Sequence, residues 1–378
     1  MAFKVVRQPK RIALIGAPSS AGSHNPGCER APAALRAAGL VGALQAAGFD
    51  VTDLGDTPVF TYQVDEASPR ARNIGPTVAA LHALKPVVEQ AVKSGALPLI
   101  LGGDCTIALA TIAGVKRYFP HVALMYCDGD ADLNTPATTP SGCFDGMVVA
   151  HIAGRGAPEL IRFTSEPPLV REPDIALFGV QRLDPGEEQF LARSPMQRYP
   201  ADAIARQGAQ AAARAAVHRI LTGPKQLVLH FDVDCISSDD MPASDFGQPG
   251  GLPLAQIREA LDVFLVQERL AAVEITAYNP DKDADGAAAR TLIELFASAL
   301  AKRLAQAQEE AAAPAPAPTP PANEPAAPAL AAVEPPPDSP APPVTEAAQT
   351  EEPAATEEPA QPESKETPVS AGETSTEP

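Results

Sequence analysis

Cysteines, basic side chains and long apolar runs are all scarce in this sequence of 378 residues. The five cysteines are odd in number and widely spaced, which argues against a disulfide framework and favours a reduced, cytoplasmic setting. No apolar run approaches the length of a membrane-spanning helix, and the N-terminus lacks the apolar region and cleavage site of a signal peptide. We therefore expect a cytoplasmic protein without a membrane anchor.

Basic residues are outnumbered, with 29 lysines and arginines against 47 aspartates and glutamates and a formal net charge of −18. Residues 311–378 carry −11 of that charge, because they hold one lysine and 12 acidic residues. Residues 1–310 keep −7 and show no basic face. This distribution argues against nucleic acid and against anionic membrane as partners.

Residues 311–378 also differ from the rest in composition. They hold 18 of the 42 prolines and are otherwise rich in alanine, glutamate and threonine. Such a segment cannot bury enough apolar surface to offset its ordering entropy, so we predict a disordered tail. We interpret this tail as a solubilising appendage rather than an interaction arm. Residues 1–310 are long enough for one large domain with a substantial core.

Within residues 1–310, short runs of valine, isoleucine and leucine alternate with longer segments of helical period. This order predicts βαβ units and an α/β fold around a mostly parallel sheet, with helices on both faces. The predicted strands are residues 11–16, 49–54, 97–102, 122–127, 174–179, 226–231 and 271–275. The predicted helices are residues 31–38, 78–93, 106–115, 146–153, 201–221, 254–264 and 286–312.

Acidic or soft-ligand side chains follow directly on three predicted strands, in the segments GGDC (102–105), DGDAD (128–132) and DVD (232–234). Because ligands bind at the carboxyl ends of strands in open α/β sheets, we expect these side chains to converge. Burying so many carboxylates without cations would be very costly, and aspartate oxygens suit Mn²⁺ or Mg²⁺. Helix capping is the alternative, favoured for Asp104 or Asp132 taken alone. The set as a whole predicts a metal site: Asp128, Asp130, Asp132, Asp232 and Asp234.

Several strings together resemble the ureohydrolases, the family of arginase, agmatinase and formimidoylglutamase: GAPSSAG, GGDCTIALA, DGDADLNTPATTPSGCFDGM, HFDVDC and YNPDKDADG. The match extends over nearly all of residues 10–305. It implies a three-layer α/β/α sandwich and homo-oligomers, either trimers or hexamers. It also implies hydrolysis of a guanidino or amidino group on a small molecule, by a hydroxide that bridges two Mn²⁺ ions.

The stretch DLNTPATTPSG is most similar to the arginase branch, in which this loop grips the α-carboxylate and α-amino group of the substrate. By this resemblance, Asn134, Thr139 and Ser141 hold the carboxylate directly or through water. Asp184 and Glu187, in FGVQRLDPGEEQF, read the ammonium. These two acids also suit a helix start, with proline in the first turn and negative charge near the helix N-terminus. Both interpretations can hold together.

The sequence departs from the arginase pattern around the reacting group. Cys105 and Asp130 stand in place of two metal-binding histidines. Asp145 replaces the histidine thought to shuttle protons, and it could act as a base or proton relay if neighbouring carboxylates raise its pKa. Ala277 replaces the glutamate that pairs with the guanidinium, and Glu274 should point to the opposite face of the predicted strand from Ala277. Four metal-binding aspartates are unchanged: Asp128, Asp132, Asp232 and Asp234.

Charge leaves three alternatives open for the altered site. The family's two histidines and four aspartates supply −4, which balances two divalent ions, whereas five aspartates and a thiolate would supply −6. In the first alternative, Cys105 stays protonated and outside the ligand set. In the second, the site binds cations with higher affinity. In the third, Asp130 is drawn away from the ions. A thiolate ligand would make Zn²⁺, Fe²⁺ or Co²⁺ more competitive than in a site of oxygens alone. The alternative for Cys105 is a small buried residue that packs under the following helix.

Two functions are compatible with these residues. The first is a metal-dependent hydrolase of a linear amidine with an amino-acid-like substrate, acting on C–N bonds other than peptide bonds. The second is a weak or inactive member of the fold that binds metal or an amino acid, motivated by the altered histidine and glutamate positions. Retained short polar or soft side chains at all altered positions except Ala277 favour the hydrolase.

Overall fold

The structure, a computed structural model, describes residues 5–163 and 167–312 of the chain. The predicted tail lies outside the described residues, apart from the two that end the last helix. The strands are β1 (Arg11–Ala17), β2 (Asp50–Asp56), β3 (Leu97–Gly102), β4 (Val122–Cys127), β5 (Ile175–Val180), β6 (Gln197–Pro200), β7 (Gln226–Asp232) and β8 (Leu270–Thr276). The helices are α1 (Ala31–Ala37), α2 (Leu40–Ala46), α3 (Ile74–Lys93), α4 (Ala108–Lys116), α5 (Val148–Ile152), α6 (Pro158–Ile161), α7 (Pro185–Leu191), α8 (Ala201–Gln207), α9 (Ala209–Ile220), α10 (Leu254–Phe264) and α11 (Ala287–Ala312).

The strands form one eight-stranded sheet in which every pairing is parallel. Its order is β2-β1-β3-β8-β7-β4-β5-β6. Strands β3, β8, β7 and β4 are therefore neighbours in the middle of the sheet, although they are distant along the chain. Because parallel strands end at the same edge, the residues that follow these four strands meet there.

Alternate residues of the strands supply two apolar cores on opposite faces of the sheet. On β1, Ile12 and Leu14 join the core under α1, α2 and α8 to α11. Ala13 and Ile15 join the core under α3 to α6. Strands β4 and β5 are buried along their whole length, as expected of strands covered on both sides. The predicted three-layer α/β/α fold is confirmed.

The prediction of one helix over residues 201–221 is wrong. The chain breaks at Gly208, where φ is +89°, and continues as two helices, α8 and α9. Glycine adopts this positive φ without a steric cost from a Cβ atom, so the break falls where the sequence allows it. Among the described residues, no helix is long and apolar enough to cross a membrane.

Candidate active site

A cavity of about 240 Å³ lies at the carboxyl ends of β3, β4 and β7. All the site residues predicted from the sequence line it, at the metal end and at the substrate end alike. At the metal end these are Cys105, Asp128, Asp130, Asp132, Asp145, Asp232 and Asp234. At the substrate end they are Asn134, Thr139, Ser141, Asp184 and Glu187.

Four buried side chains at the bottom of this region form an inner group: Cys105, Asp128, His230 and Asp232. Each offers one potential ligand atom, and these atoms all lie within 4.8 Å of one another. The Cys105 thiol donates to Asp232 Oδ2 at 2.8 Å and lies 3.4 Å from Thr276 Oγ1. Burial, and then the charge of Asp232, raise the pKa of the Cys105 thiol well above its usual range. The combination of sulfur, imidazole and carboxylate donors fits a divalent transition metal.

His230 is a member of the inner group that the sequence analysis missed. Its ring is fully buried and stacks on Tyr126, with centroids 4.1 Å apart and an interplanar angle of 4°. Nδ1 lies 2.8 Å from Glu274 Oε1, and Nε2 lies 3.3 Å from Thr276 Oγ1. The spacing along the strand could have identified His230, because residues two apart on one strand share a face and His230 precedes Asp232 by two.

Asp128, Asp130 and Asp234 form an outer group, whose potential ligand oxygens also lie within 4.8 Å of one another. Asp128 belongs to both groups. The Arg182 guanidinium donates to both carboxylate oxygens of Asp130, with Nε 2.8 Å from Oδ1, and reaches Asp234 Oδ2 at 3.4 Å. This cation, which no sequence motif predicted, offsets part of the excess negative charge.

Of the two aspartates that could cap a helix, Asp104 does so and Asp132 has a different role. Asp104 caps the 3-10 turn that follows it, and its Oδ1 accepts the Thr106 N–H at 3.0 Å. Asp132 has a left-handed backbone, with φ of +51°, and its carboxylate accepts a hydrogen bond from the hydroxyl of Tyr126. The charge of Asp132 contributes to the raised pKa of Asp128, but Asp132 belongs to neither the inner nor the outer group.

Asp145 is anchored over the inner group by two backbone contacts. Its Oδ1 accepts the N–H of Cys105 at 2.7 Å, and its own N–H donates to Gly22 O at 3.0 Å. Burial, followed by the charge of Asp104, raises the pKa of the Asp145 carboxyl well above its usual range. This geometry gives a carboxyl group that can hold a proton beside the inner group.

Desolvation raises the pKa values of the buried carboxyl groups at this site, which together are called the carboxylate cluster. Burial is the largest cause of each raised pKa, and the charges of neighbouring carboxylates add to it. Without a cation, these groups therefore resist ionisation, whereas a bound cation would favour their charged forms. The groups with a pKa raised well above the usual range are Asp128, Asp132, Asp145 and Asp232.

At the substrate end, the predicted helix start is confirmed. Asp184 and Glu187 form a capping box at the beginning of α7, in which Glu187 Oε2 accepts the Asp184 N–H at 2.8 Å. Glu187 Oε1 accepts the N–H of Leu133 at 2.8 Å, and Asp184 Oδ2 accepts from Asn134 Nδ2 at 2.8 Å. Burial raises the pKa of Glu187. The two acids therefore join α7 to the loop that carries Asn134.

Thr139 and Ser141 belong to that same loop. Their hydroxyl oxygens lie 3.3 Å apart, and Thr139 Oγ1 accepts the Gly142 N–H at 2.9 Å. The loop thus presents neutral hydroxyl and amide groups near the acids of α7. Such an arrangement can bind a carboxylate and an ammonium on one molecule.

Ala277 adopts a left-handed conformation, with φ of +59°, and its N–H donates to Gly103 O at 2.9 Å. Its methyl group packs against the core that includes α10 and α11. Ala277 is not one of the described residues that line the cavity. No carboxylate therefore stands at this position to pair with a guanidinium.

Comparison with known proteins gives one consistent family. The model described as "Arginase family" matches residues 10–301. Arginase of Bacillus caldovelox is 28% identical over 297 residues, which cover 78% of this chain and 99% of the relative. The structure of that arginase has a TM-score of 0.72 to this chain and covers 77% of it and 98% of its own chain.

Two further structures agree in fold. Arginase from Bacillus cereus, 27% identical, has a TM-score of 0.71 over 77% of this chain and 98% of its own. Formimidoylglutamase from Bacillus subtilis, 19% identical, has a TM-score of 0.64 over 80% of this chain and 89% of its own, a likeness of fold alone. Since the family match spans most of the chain and agrees with the fold and the aspartate pattern, the protein belongs to the arginase family.

Proposed function

We propose that the protein is a metal-dependent hydrolase that cleaves a C–N bond in the linear amidine of an amino-acid-like small molecule. The observation that carries this proposal is the shared cavity, which joins a buried carboxylate cluster to a loop and helix start suited to an amino acid. Membership of the arginase family supports the reaction class. The altered residues around the cluster leave arginine itself as one candidate substrate among several guanidino and formimino compounds.

The two ligand groups would hold up to two divalent ions, with Asp128 shared between them. Family membership makes Mn²⁺ the first candidate. A cation held there would lower the pKa of a coordinated water, so that a nucleophile is available near neutral pH. The raised pKa values of the buried carboxylates support a cation at this place, because ionised carboxylates are stable there only with a positive counter-charge.

The remaining residues would hold protons and orient the substrate. Asp145 would carry the proton that the leaving nitrogen needs, since its carboxyl is buried and fixed beside the inner group. Asp184 and Glu187 would bind the substrate ammonium. The substrate carboxylate would contact Asn134 and the hydroxyls of the same loop, Thr139 and Ser141.

A second function is favoured by one specific observation. Arg182 occupies two carboxylates of the outer group, Asp130 and Asp234, with a guanidinium of the protein itself. Together with the alanine at position 277, this contact favours a protein that binds a metal or an amino acid with little or no hydrolysis. The two functions predict different outcomes in one assay.

The assay incubates the purified protein with Mn²⁺, Co²⁺, Zn²⁺ or Ni²⁺ and a panel of guanidino and formimino compounds, and measures released urea, ammonia and formamide. Turnover that disappears in Asp128→Asn supports the hydrolase and excludes a contaminating enzyme, because this substitution removes the shared ligand. Calorimetric binding of arginine or ornithine without any product would instead support the binding function.

We also propose that the chain forms homo-oligomers, with trimers or hexamers as the states suggested by family membership. Light scattering of the purified protein measures the mass directly. A monomer at micromolar concentration would contradict this proposal without affecting the proposed reaction.

A further inference from the structure

We infer that the inner group is a cysteine–histidine–carboxylate site for a borderline-soft divalent ion, Zn²⁺ or Co²⁺, with His230 as a ligand and Glu274 as the residue that orients it. The inference rests on the proposed metal dependence and names the ion class and ligand set of that site. Neither His230 nor Glu274 belongs to the ligand set that the family resemblance implies.

His230 lies on the same face of β7 as Asp232. It precedes Asp232 by two residues on β7, so both side chains leave the strand on the same face. The side chains of Cys105 and His230 meet at the hydroxyl of Thr276, which lies 3.4 Å from Sγ and 3.3 Å from Nε2. One imidazole nitrogen and one sulfur therefore lie close to the carboxylates of Asp128 and Asp232.

Glu274 contacts the ring nitrogen of His230 that would not bind the ion. Metal-binding histidines commonly donate the N–H of the second ring nitrogen to a carboxylate, which fixes the tautomer and strengthens the ligand. Nδ1 of His230 lies 2.8 Å from Glu274 Oε1, and both side chains are fully buried. When Nδ1 carries the proton, Nε2 keeps its lone pair for a cation.

An unpartnered atom points to the same conclusion independently. Oε2 of Glu274 is buried and has no hydrogen-bond partner among the described residues. A carboxylate with one free oxygen in the interior is costly unless a positive charge lies close by. A cation bound to the Nε2 side of His230 would provide that charge through the imidazole.

Sulfur and nitrogen donors determine the class of ion. Thiolate and imidazole suit Zn²⁺ and Co²⁺, whereas Mn²⁺ is better matched by oxygen ligands. When Cys105 binds the ion, its S–H bond breaks, a sulfur–metal bond forms, and one proton passes to the solvent.

The test is a titration of metal-free full-length protein with Co²⁺, followed by absorbance. The wild type should develop a near-ultraviolet thiolate-to-cobalt charge-transfer band. Cys105→Ser should lose the band, whereas Cys127→Ala should keep it, because Cys127 is buried in the opposite direction, in the core that includes α10 and α11. His230→Gln should change the visible cobalt spectrum and weaken binding, while His82→Gln, at an exposed position, should change neither.

Glu274→Gln isolates the orienting role. We expect roughly a 10- to 100-fold loss of Co²⁺ affinity with the sulfur band retained, because the ligands stay and only their support is weakened. If His230→Gln or Glu274→Gln does not fold, X-ray absorption of the zinc-loaded wild type detects a sulfur neighbour, and detects a histidine by the scattering of its imidazole ring, without any variant.

The outcomes separate this inference from the proposed reaction. Co²⁺ binding without a sulfur band, or zinc surrounded by oxygen alone, would overturn the inference and leave a manganese-dependent hydrolase possible. A sulfur and histidine site in a protein that turns over no amidine would uphold the inference and overturn the proposed reaction.

Discussion

Arg182 binds Asp130 through two nitrogens of its guanidinium, so that an acid and a base 52 residues apart in the chain meet at the outer group. The same guanidinium reaches Asp234, which lies close to Asp128, the residue common to the inner and outer groups. A second divalent ion in the outer group would have to compete with this resident charge. Arg182 therefore controls how strongly the outer group attracts metal.

Replacing this arginine should strengthen metal binding and weaken the metal-free fold. Arg182→Gln removes a cation whose partner Asp130 is 35% exposed, so we expect a loss of about 1 kcal/mol in unfolding free energy and a gain of about fivefold in affinity for a second ion. Calorimetry with and without Co²⁺ or Mn²⁺ measures both. Arg206→Gln, which breaks the exposed pair with Asp202, is the matched control and should leave both quantities unchanged, because water screens this pair. Equal metal affinity in wild type and Arg182→Gln would refute the competition.

Asp145→Asn should lower kcat by about 10² or more while metal content stays unchanged. The amide oxygen can still accept the Cys105 N–H, so the local geometry is kept and only the exchangeable proton is lost. Steady-state kinetics and metal analysis of the same preparation test this. A variant that loses bound metal instead would reassign Asp145 from proton transfer to support of the metal centre.

Asp184→Asn should raise KM for a substrate with an α-amino group, by roughly tenfold, with little change in kcat. An analogue that lacks the amino group should show the same KM in variant and wild type. The comparison matters because Asp184 also accepts a hydrogen bond from Asn134 and begins α7. A KM increase of equal size for both compounds would mean that the loop has moved, and that Asp184 does not bind the ammonium.

His151 should make the protein less stable as the pH falls. The residue is 1% exposed, Nδ1 lies 2.7 Å from Met147 O, and Nε2 accepts the Ala157 N–H at 2.9 Å. Burial lowers the pKa of His151 from 6.5 to about 4, because a charged imidazolium would be cut off from water. Since the unfolded chain takes up this proton first, stability is lost below about pH 6.5 and the loss ends near pH 4, on the order of 3 kcal/mol in total.

Thermal or denaturant unfolding at several pH values between about 7 and 4 measures this loss, against a background from other titrating groups. His151→Gln should show a flatter dependence in that window, because the group that takes up the proton is removed. Parallel curves for wild type and His151→Gln would contradict the assignment.

Two glycines in open space give a paired test of the backbone. Gly208 has a φ of +89° between α8 and α9, and an added Cβ would meet no atom within 4 Å. Gly208→Ala should therefore destabilise the protein by about 1–2 kcal/mol through backbone strain alone. Gly42→Ala, inside α2 and equally unobstructed, should stabilise it by roughly 0.5–1 kcal/mol. Urea unfolding measures both, and the same sign for both variants would contradict this account.

The apolar strands were predictable from the sequence because each is nearly continuous in character. VALMYC at β4 is buried throughout and was predicted with its observed bounds. β6 was missed because QRYP is four residues long and only partly buried at the edge of the sheet. The predicted helix over 201–221 failed at a single glycine, whose tolerance of positive φ outweighs the helix propensity of the surrounding alanines.

The site was predictable as far as strand ends and family motifs determine it. Its twelve predicted residues line one cavity because parallel strands deliver them to one edge. Arg182 could not be predicted as the partner of Asp130, since that contact depends on how two loops are placed in the folded chain. His230 was within reach, because its two-residue spacing from Asp232 already specifies a shared face.

The inner group draws on residues carried by or closely following three of the four middle strands, β3, β7 and β4. Cys105 and Asp232 alone are 127 residues apart in the chain. A cation bound there would act as a cross-link that closes long loops, which restricts the unfolded chain far more than the folded one. Amide hydrogen exchange in the middle strands should therefore slow when the ion binds, while the edge strands β2 and β6 should respond less.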